Sequence, residues 1–402
     1  MPPRRRTRVM TDPWLSIIGI GEDGVKGLSD ASRSALEGAE VVFGGPRHLE
    51  LAEIGGRGRP WPVPFSVKPV LDLRGRNVAV LASGNPFWYG AGSTLAECLG
   101  ASEWRAFPTP STFAIAAARL GWRLEETHCV GLHAAPFERL LPHIGRGRRL
   151  ICLMRDAAAV TALGQWLDQR GFGKSMLWVM EALGGPNERI RSVHAADLAF
   201  NDTCAPVALA IEVAGGAGWQ RSSGLPDDAF AHDGQITKRA VRAVTLSSLA
   251  PRHGEHLWDI GGGSGSVSIE WALAGGTATT IEPKAERGEI IRMNAAQFGV
   301  TEAVKVVEGS APEALKDLAH ADAVFIGGGV SDALLEKLWS VLSPGTRLVA
   351  NAVTLESESL IAGWHGRCGG SLMRIETAEV QPLGQKRGWV SARPVTQWSV
   401  TR

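Results

Sequence analysis

The stretch most able to do chemistry is Asp259-x-Gly261-x-Gly263-x-Gly265, which follows an apolar run, Leu257 to Ile260. Glycines between a buried strand and a helix let a ligand approach the backbone closely, and the helix start adds free N–H donors and positive dipole. About twenty residues on, the run Thr277 to Ile281 ends in Glu282. An acid at that point accepts hydrogen bonds from both ribose hydroxyls of a nucleotide-like cofactor. The segment from Val267 to Leu273, with Val267, Ile269, Trp271, Ala272 and Leu273 as its apolar stripe, is the helix expected to carry the loop.

The spacing is G-x-G-x-G with an aspartate two residues before it, not the G-x-G-x-x-G of a dinucleotide fold. It resembles the S-adenosylmethionine (SAM) loop of the Rossmann-like class I methyltransferases. The dinucleotide pattern does occur literally at Gly19-x-Gly21-x-x-Gly24. There, however, Val25-Lys26-Gly27-Leu28 follows, and Ser29 is the natural N-cap of the next helix. Such a loop is too long to press a pyrophosphate onto a helix, which argues against a nicotinamide oxidoreductase.

At 402 residues the chain is comfortable for two domains. Its formal net charge of +1 gives no field to recruit nucleic acid or acidic membrane. No apolar run reaches the ~18–20 residues of a membrane helix. The basic start, with Arg4, Arg5, Arg6 and Arg8, reads as a disordered tail rather than a signal peptide. Five cysteines, odd in number and never C-x-x-C, point to a reducing, cytoplasmic setting without zinc or disulfides. His253-x-x-His256 has metal-like spacing, but no further ligand lies nearby in sequence, and a polar loop is the simpler reading.

The first half reads as alternating strand and helix. Strands are expected at Leu15 to Ile20, Glu40 to Phe43, Asn77 to Leu81 and Glu103 to Phe107. A turn follows at Gly44 to Arg47, and 52–69 reads as a surface loop. Ser111 or Thr112 caps a helix, Phe113 to Leu120. Further apolar strands are expected at Leu150 to Met154, Met176 to Met180 and Val207 to Ile211. The Gly/Pro/Asp-rich stretch 214–234 has linker composition, dividing the chain into 12–216, a linker 217–233, and 234–402. The second half opens on a helix with a stripe at Ala240, Val244 and Leu249. Two terminal strands, near Met373 to Val380 and Val395 to Val400, complete seven.

Three loops carry a second resemblance: Gly19-Ile-Gly-Glu-Asp23, Gly84-Asn-Pro-Phe-Trp-Tyr-Gly90 and Pro108-Thr-Pro-Ser-Thr112. Together they resemble the tetrapyrrole methyltransferase family (class III methyltransferases), with Glu22, Asn85 and Thr109 where that family usually has Pro, Asp and Gly. The resemblance implies a SAM site contacted by Gly84, Asn85, Pro86, Trp88, Ser111, Thr112 and Met154. Plain core packing is an equal reading for Met154.

In the second half, Ile236-Thr-Lys238, Gly309-Ser-Ala-Pro-Glu-Ala-Leu315, Asp322-Ala-Val-Phe-Ile-Gly-Gly328 and Asn351-Ala-Val-Thr-Leu-Glu356 carry a third. With the central loop they resemble the cobalamin-pathway methyltransferases that methylate C15 of a precorrin and decarboxylate it. The fused pair is similar to the precorrin C5,15-methyltransferase family. That implies an α/β chain with a two-subdomain class III tetrapyrrole methylase fold and a Rossmann-like, seven-stranded class I fold. It also implies a second SAM site formed by Thr237, Gly261, Gly262, Gly263, Ser264, Gly265, Glu282, Ser310 and Ala311, a precorrin substrate, and a homo-oligomer. A polycarboxylate substrate calls for arginines, and Arg47, Arg57, Arg59, Arg387 and Arg393 are the candidates. No Ser/His/Asp or Cys/His constellation is found, and no catalytic acid or base is assigned. The competing readings are a methyltransferase for another tetrapyrrole, an RNA or protein methyltransferase using only the C-terminal half, and a non-catalytic tetrapyrrole-binding module.

Overall fold

A computed structural model describes residues 13–402, so the basic N-terminal decamer and the first residue of the expected N-terminal domain lie outside the described residues. The chain forms two compact units: residues up to Phe137 with Gly145–Ala217, and Glu138–Ile144 with Gly218–Arg402.

The first unit begins with strands β1 (Leu15–Ile20), β2 (Val41–Gly44), β3 (Gly58–Pro60), β4 (Val78–Ser83) and β5 (Trp104–Phe107). They form one parallel sheet ordered β3-β2-β4-β1-β5. Parallel strands are covered on both faces, so β1 and β4 read as apolar runs broken only by Ser16 and the terminal Ser83, and Leu15, Ile17 and Ile18 are fully buried. Ser29 caps the helix Asp30–Glu37, accepting from Ser32 N–H. Two local expectations change here. The turn after β2 is the start of a helix, Pro46–Leu51, because Pro46 occupies its first position. The loop at 52–69 contains β3, a three-residue edge strand too short to leave a pattern.

A second sheet follows: β6 (Thr127–Gly131), β7 (Arg149–Leu153), β8 (Met176–Glu181), β9 (Arg189–His194) and β10 (Val207–Glu212), ordered β6-β7-β10-β8-β9. Only β6 and β7 pair in parallel. Strand β9 escapes sequence reading because it is polar. Its arginines pair with acids: Arg189 with Glu181 (2.7 Å) and Arg191 with Asp202 (2.6 Å).

The second unit holds β11 (His256–Ile260), β12 (Thr277–Glu282), β13 (Val304–Glu308), β14 (Ala323–Ile326), β15 (Arg347–Ala352), β16 (Ser371–Ile375) and, beyond the hairpin β17 (Ala378–Leu383)–β18 (Lys386–Ser391), β19 (Val395–Thr401). The seven-stranded sheet runs β13-β12-β11-β14-β15-β19-β16. Its first five strands are parallel, and β19 runs antiparallel to both of its neighbours, β15 and β16. Chain order reverses between β11 and β14, which makes their carboxyl ends a switch point where ligands bind in such sheets. The architecture is therefore α/β, with a Rossmann-like second unit.

Two helices differ from their expected faces. The helix Ser266–Leu273 is buried all round from Ser266 to Ala272 rather than along one stripe. The helix Arg239–Leu249 buries Val241, Arg242, Thr245, Leu246 and Leu249, leaving Ala240 exposed and Val244 half-buried. A buried arginine on its inner face displaced the pattern. The stretch with linker composition also packs, with Leu225 and Phe230 in the core of the second unit. Gly224 and Leu225 N–H groups donate to the Glu270 carboxylate at 2.6 and 2.8 Å.

Candidate cofactor and substrate sites

In the first unit the three loops that carry the family resemblance lie at the carboxyl ends of β1, β4 and β5. Gly84 N–H donates to Ile20 O (3.1 Å) and Thr109 N–H donates to Gly84 O (3.1 Å), so the three strand ends are laced together. The approach demands glycine: a Cβ on Gly19 would sit 1.8 Å from Gly84 O, and one on Gly84 would sit 2.7 Å from Ser111 Cα. Ser111 caps the helix Thr112–Leu120, accepting from Ala114 N–H at 3.2 Å. Thr112 opens that helix. Asn85 Oδ1 accepts from Phe87 N–H (3.0 Å), which shapes the loop. Trp88 packs on Phe113 with ring centroids 4.6 Å apart. Pro86 lies against Gly90 and Gly92. Met154, just past β7, is buried, and its N–H donates to Val207 O (3.1 Å).

Beside Gly84 stands a cluster of which only Arg47 is expected from the sequence. His48 Nε2 lies 2.8 Å from Ser83 Oγ, and Arg47 donates to both at 3.2 Å. Burial, aided by the Arg47 charge, pushes the His48 pKa down to about 4, so the ring is neutral at physiological pH. The signal was weak: one histidine on a short helix, brought to the β4 end only by folding.

In the second unit a cavity of about 560 Å³ opens at the switch point. Of the expected residues, Thr237, Gly261, Gly262, Gly263, Glu282, Ser310 and Ala311 line it. Ser264 and Gly265 do not. Gly265 has positive φ and introduces the helix, and the Ser264 carbonyl accepts from Asn294 Nδ2 (2.9 Å). A Cβ on Gly262 would lie 2.1 Å from Thr280 Cγ2, so bare backbone faces the cavity there. Glu282 is 2 % exposed. Its Oε2 accepts from Gly263 N–H (2.9 Å) and its Oε1 from Lys284 N–H (3.1 Å). The acid thus holds the loop while one lone pair on each oxygen stays available. Asp259 Oδ1 and Ser264 Oγ are buried without hydrogen-bond partners. A glycine backbone, an acid at the second strand end and orphaned polar atoms beside them fit a nucleoside cofactor such as SAM.

Asp259 is the most perturbed acid of this site. Burial pushes its pKa up to about 6 against the pull of Ser268, whose Oγ donates to Oδ2 at 2.6 Å, and the Glu282 charge adds to the rise. Between about pH 4 and 6 the folded chain keeps a proton that the unfolded chain has released, so stability falls as pH rises through that window. At neutral pH the penalty is at most about 3 kcal/mol. Asp259→Asn is therefore expected to raise the melting temperature of the ligand-free protein at pH 8 and to lose that advantage at pH 4, as read by calorimetric melting.

Folding also sorts the arginine candidates. Arg47 is ion-paired with Glu22. Arg57 donates to the Leu36, Glu37 and Ala39 carbonyls, a structural role. Arg59 lies on the edge strand β3 and Arg387 on the exposed hairpin strand β18. Arg393 alone of the five lines the cavity, with Lys238 and Arg287. Arg287 is paired to Asp233 at 2.8 Å. His256 bonds Thr277 and Thr279 through its two ring nitrogens, and no cluster fit for a metal occurs among the described residues. All five cysteines are free thiols. No described helix is long and apolar enough to cross a membrane.

Comparison with known proteins agrees with both units. Residues 15–199 match the Tetrapyrrole (Corrin/Porphyrin) Methylases and residues 228–402 the Precorrin methyltransferase domain. A Sinorhizobium protein named precorrin-6Y C(5,15)-methyltransferase [decarboxylating] is 48% identical over 98% of this chain and 97% of its own length. A Mycobacterium tuberculosis protein of the same name is 40% identical over 96% of this chain and all of its own. The crystal structure of the C-terminal domain of a Rhodobacter capsulatus precorrin-6Y C5,15-methyltransferase is 58% identical, covering 46% of this chain and 100% of that one, with a TM-score of 0.45. A methyltransferase-type loop in each unit and relatives matched along nearly the whole length lead to one conclusion: the chain belongs to the precorrin-6Y C(5,15)-methyltransferase (decarboxylating) family.

Proposed function

We propose that this chain methylates a precorrin at C5 and C15 with SAM and removes CO₂ from an acetate side chain, in the building of the corrin ring of cobalamin. The N-terminal unit takes the C5 transfer; the C-terminal unit takes the C15 transfer and the decarboxylation. One observation carries this reading. Two glycine edges of different design occur in one chain: Gly84 laced to Thr109, and Gly261–Gly263 held by Glu282. Bound SAM supplies an electrophilic methyl group and a neutral thioether leaving group.

The protein's share is alignment and a dry wall. In the N-terminal unit, Gly84, Asn85, Pro86, Trp88, Ser111 and Thr112 form the cofactor edge, and Met154 stays core. In the C-terminal unit, Glu282 takes the ribose hydroxyls, and the bare backbone of Gly261 to Gly263, whose N–H groups are held by the Ile281 carbonyl and Glu282, lets the cofactor approach closely. Ile260, Ile281 and Val241 give the cavity its apolar wall. The meso carbons of a reduced tetrapyrrole are electron-rich, so no strong base is required. Arg393 and Lys238 supply charge for the substrate's carboxylates. The near-neutral chain weighs against RNA.

The hairpin β17–β18 supports a homo-oligomer. It leaves Trp389 75 % and Leu383 70 % exposed, and a two-stranded hairpin with bare apolar side chains is stable only when covered. Five free thiols and the biosynthetic reading support a cytoplasmic setting. Titration calorimetry of the full, cofactor-stripped chain with S-adenosylhomocysteine tests the cofactor assignment. About two sites per chain are expected; a single site on folded protein contradicts the two-site reading.

A further inference from the structure

Asn351, near the carboxyl end of β15, lines the C-terminal cavity on the side of Thr377 and Arg393, away from the cofactor edge of β12 and β13. Its amide is gripped from behind. Asn351 Nδ2 donates to Thr245 Oγ1 (3.0 Å), and Gln397 Nε2 donates to Asn351 Oδ1 (2.9 Å) and to Thr245 Oγ1 (2.9 Å). Ser248 Oγ donates to Gln397 Oε1 at 2.9 Å. Gln397 is 1 % exposed and Thr245 is fully buried. Polar groups at that depth cost stability that an apolar core avoids, so such a network is retained for what it fixes. Here it fixes which way an amide faces. One N–H and one oxygen lone pair of Asn351 are taken; one of each remains for the cavity.

We propose that Asn351 is the substrate-orienting residue of decarboxylation: its free N–H holds the acetate carboxylate that leaves as CO₂, while Arg393 anchors a carboxylate that stays. The assignment rests on the decarboxylating reading above. In that step the C–CO₂ bond breaks and its electron pair passes into a protonated imine of the tetrapyrrole. CO₂ departs uncharged, and a proton from water converts the remaining carbon to a methyl group. Negative charge therefore leaves the carboxylate on the way to the transition state. A cation clamped on it would stabilise the ground state more than the transition state and slow the reaction. A neutral N–H orients the group without that penalty. Arg393 lines the same cavity and has no ion pair among the described residues, so its charge is available to a spectator side chain. Gln397 is a positioning residue that acts through Asn351.

The test uses the full chain with precorrin-6Y, comparing Asn351→Leu, Asn351→Asp and Gln397→Met. Asn351→Leu is expected to release CO₂ ~100-fold more slowly, with S-adenosylhomocysteine affinity held within about twofold and C5 methylation intact. Gln397→Met, which frees the amide to rotate, is expected to lose ~10-fold in kcat with KM little changed. Asn351→Asp discriminates orientation from packing. A protonated carboxyl offers O–H where the amide offered N–H, so its CO₂ release should recover as pH falls, while Asn351→Leu shows no such recovery. CO₂ release by Asn351→Leu within about threefold of the parent overturns the proposal. So does cofactor affinity lost in proportion to activity, or the same pH profile for the Leu and Asp variants. If the parent chain itself releases no CO₂ from precorrin-6Y, the decarboxylating reading falls, and this inference with it.

Discussion

Glu282→Ala is expected to turn a two-methyl enzyme into a one-methyl enzyme. The side chain ends β12, is almost fully buried, and holds Gly263 and Lys284 N–H groups. Alanine removes the charge-assisted bonds expected to the ribose, each worth roughly 1.5–3 kcal/mol. It also releases the glycine loop. SAM binding in the C-terminal unit should weaken at least ~10-fold, one decade per 1.4 kcal/mol. The N-terminal edge, built on Gly84 and Thr109, does not use this residue. At SAM concentrations well below the weakened affinity, the product should gain the C5 methyl, lack the C15 methyl and keep its carboxyl. Loss of both methyls in equal measure, on folded protein, contradicts the division of labour.

Arg242→Met is expected to give the largest loss of stability of any single change described for this chain. Arg242 is fully buried on the helix Arg239–Leu249. Its Nε donates to Glu270 Oε1 (2.7 Å), Nη1 to Asp227 Oδ1 (2.9 Å) and Nη2 to the Leu225 carbonyl, and its guanidinium stacks on Phe230 at 4.8 Å. It thereby ties the 224–230 segment to the helix that begins at the glycine loop. Removing one partner of a buried pair leaves the other charge uncompensated, which costs about 3–5 kcal/mol. For a unit of this size the melting temperature should fall by on the order of 10 °C. The sign of a second change checks the cause. Glu270→Gln should destabilise the parent chain but stabilise Arg242→Met, because removing the uncompensated buried charge outweighs losing one of the two bonds, Gly224 N–H to Oε2 and Leu225 N–H to Oε1, of which the amide oxygen keeps one. Destabilisation in both backgrounds would mean that Arg242 acts through packing instead.

What the sequence made legible is what local backbone geometry demands. Gly261 to Gly265, Glu282 at a strand end and Ser111 as a helix cap are each set by their neighbours in the chain, and each occurs where local reasoning puts it. Parallel strands buried on both faces, such as β1 and β4, announce themselves as apolar runs. The rest depends on partners far away in the chain. Arg242 sits on a buried face only because Glu270 and Asp227 arrive to meet it, so of the expected stripe Leu249 is buried, Val244 half-buried and Ala240 exposed. Strand β9 is polar because Glu181 and Asp202 neutralise its arginines. The hairpin β17–β18 is exposed on every residue but Gly388 and has no inward face to give it a pattern. The segment 224–230 has the composition of a linker, yet its glycine and leucine N–H groups are what Glu270 requires. The same limit applies to the arginine candidates, whose surroundings fold together from distant segments.

The central claim is tested most directly by the mass spectrum of the product formed when the full chain is incubated with SAM and precorrin-6Y. The expected product has gained two methyl groups and lost one carboxyl group as CO₂. A product with a single added methyl, or with every carboxyl retained at complete turnover of the precorrin, contradicts it.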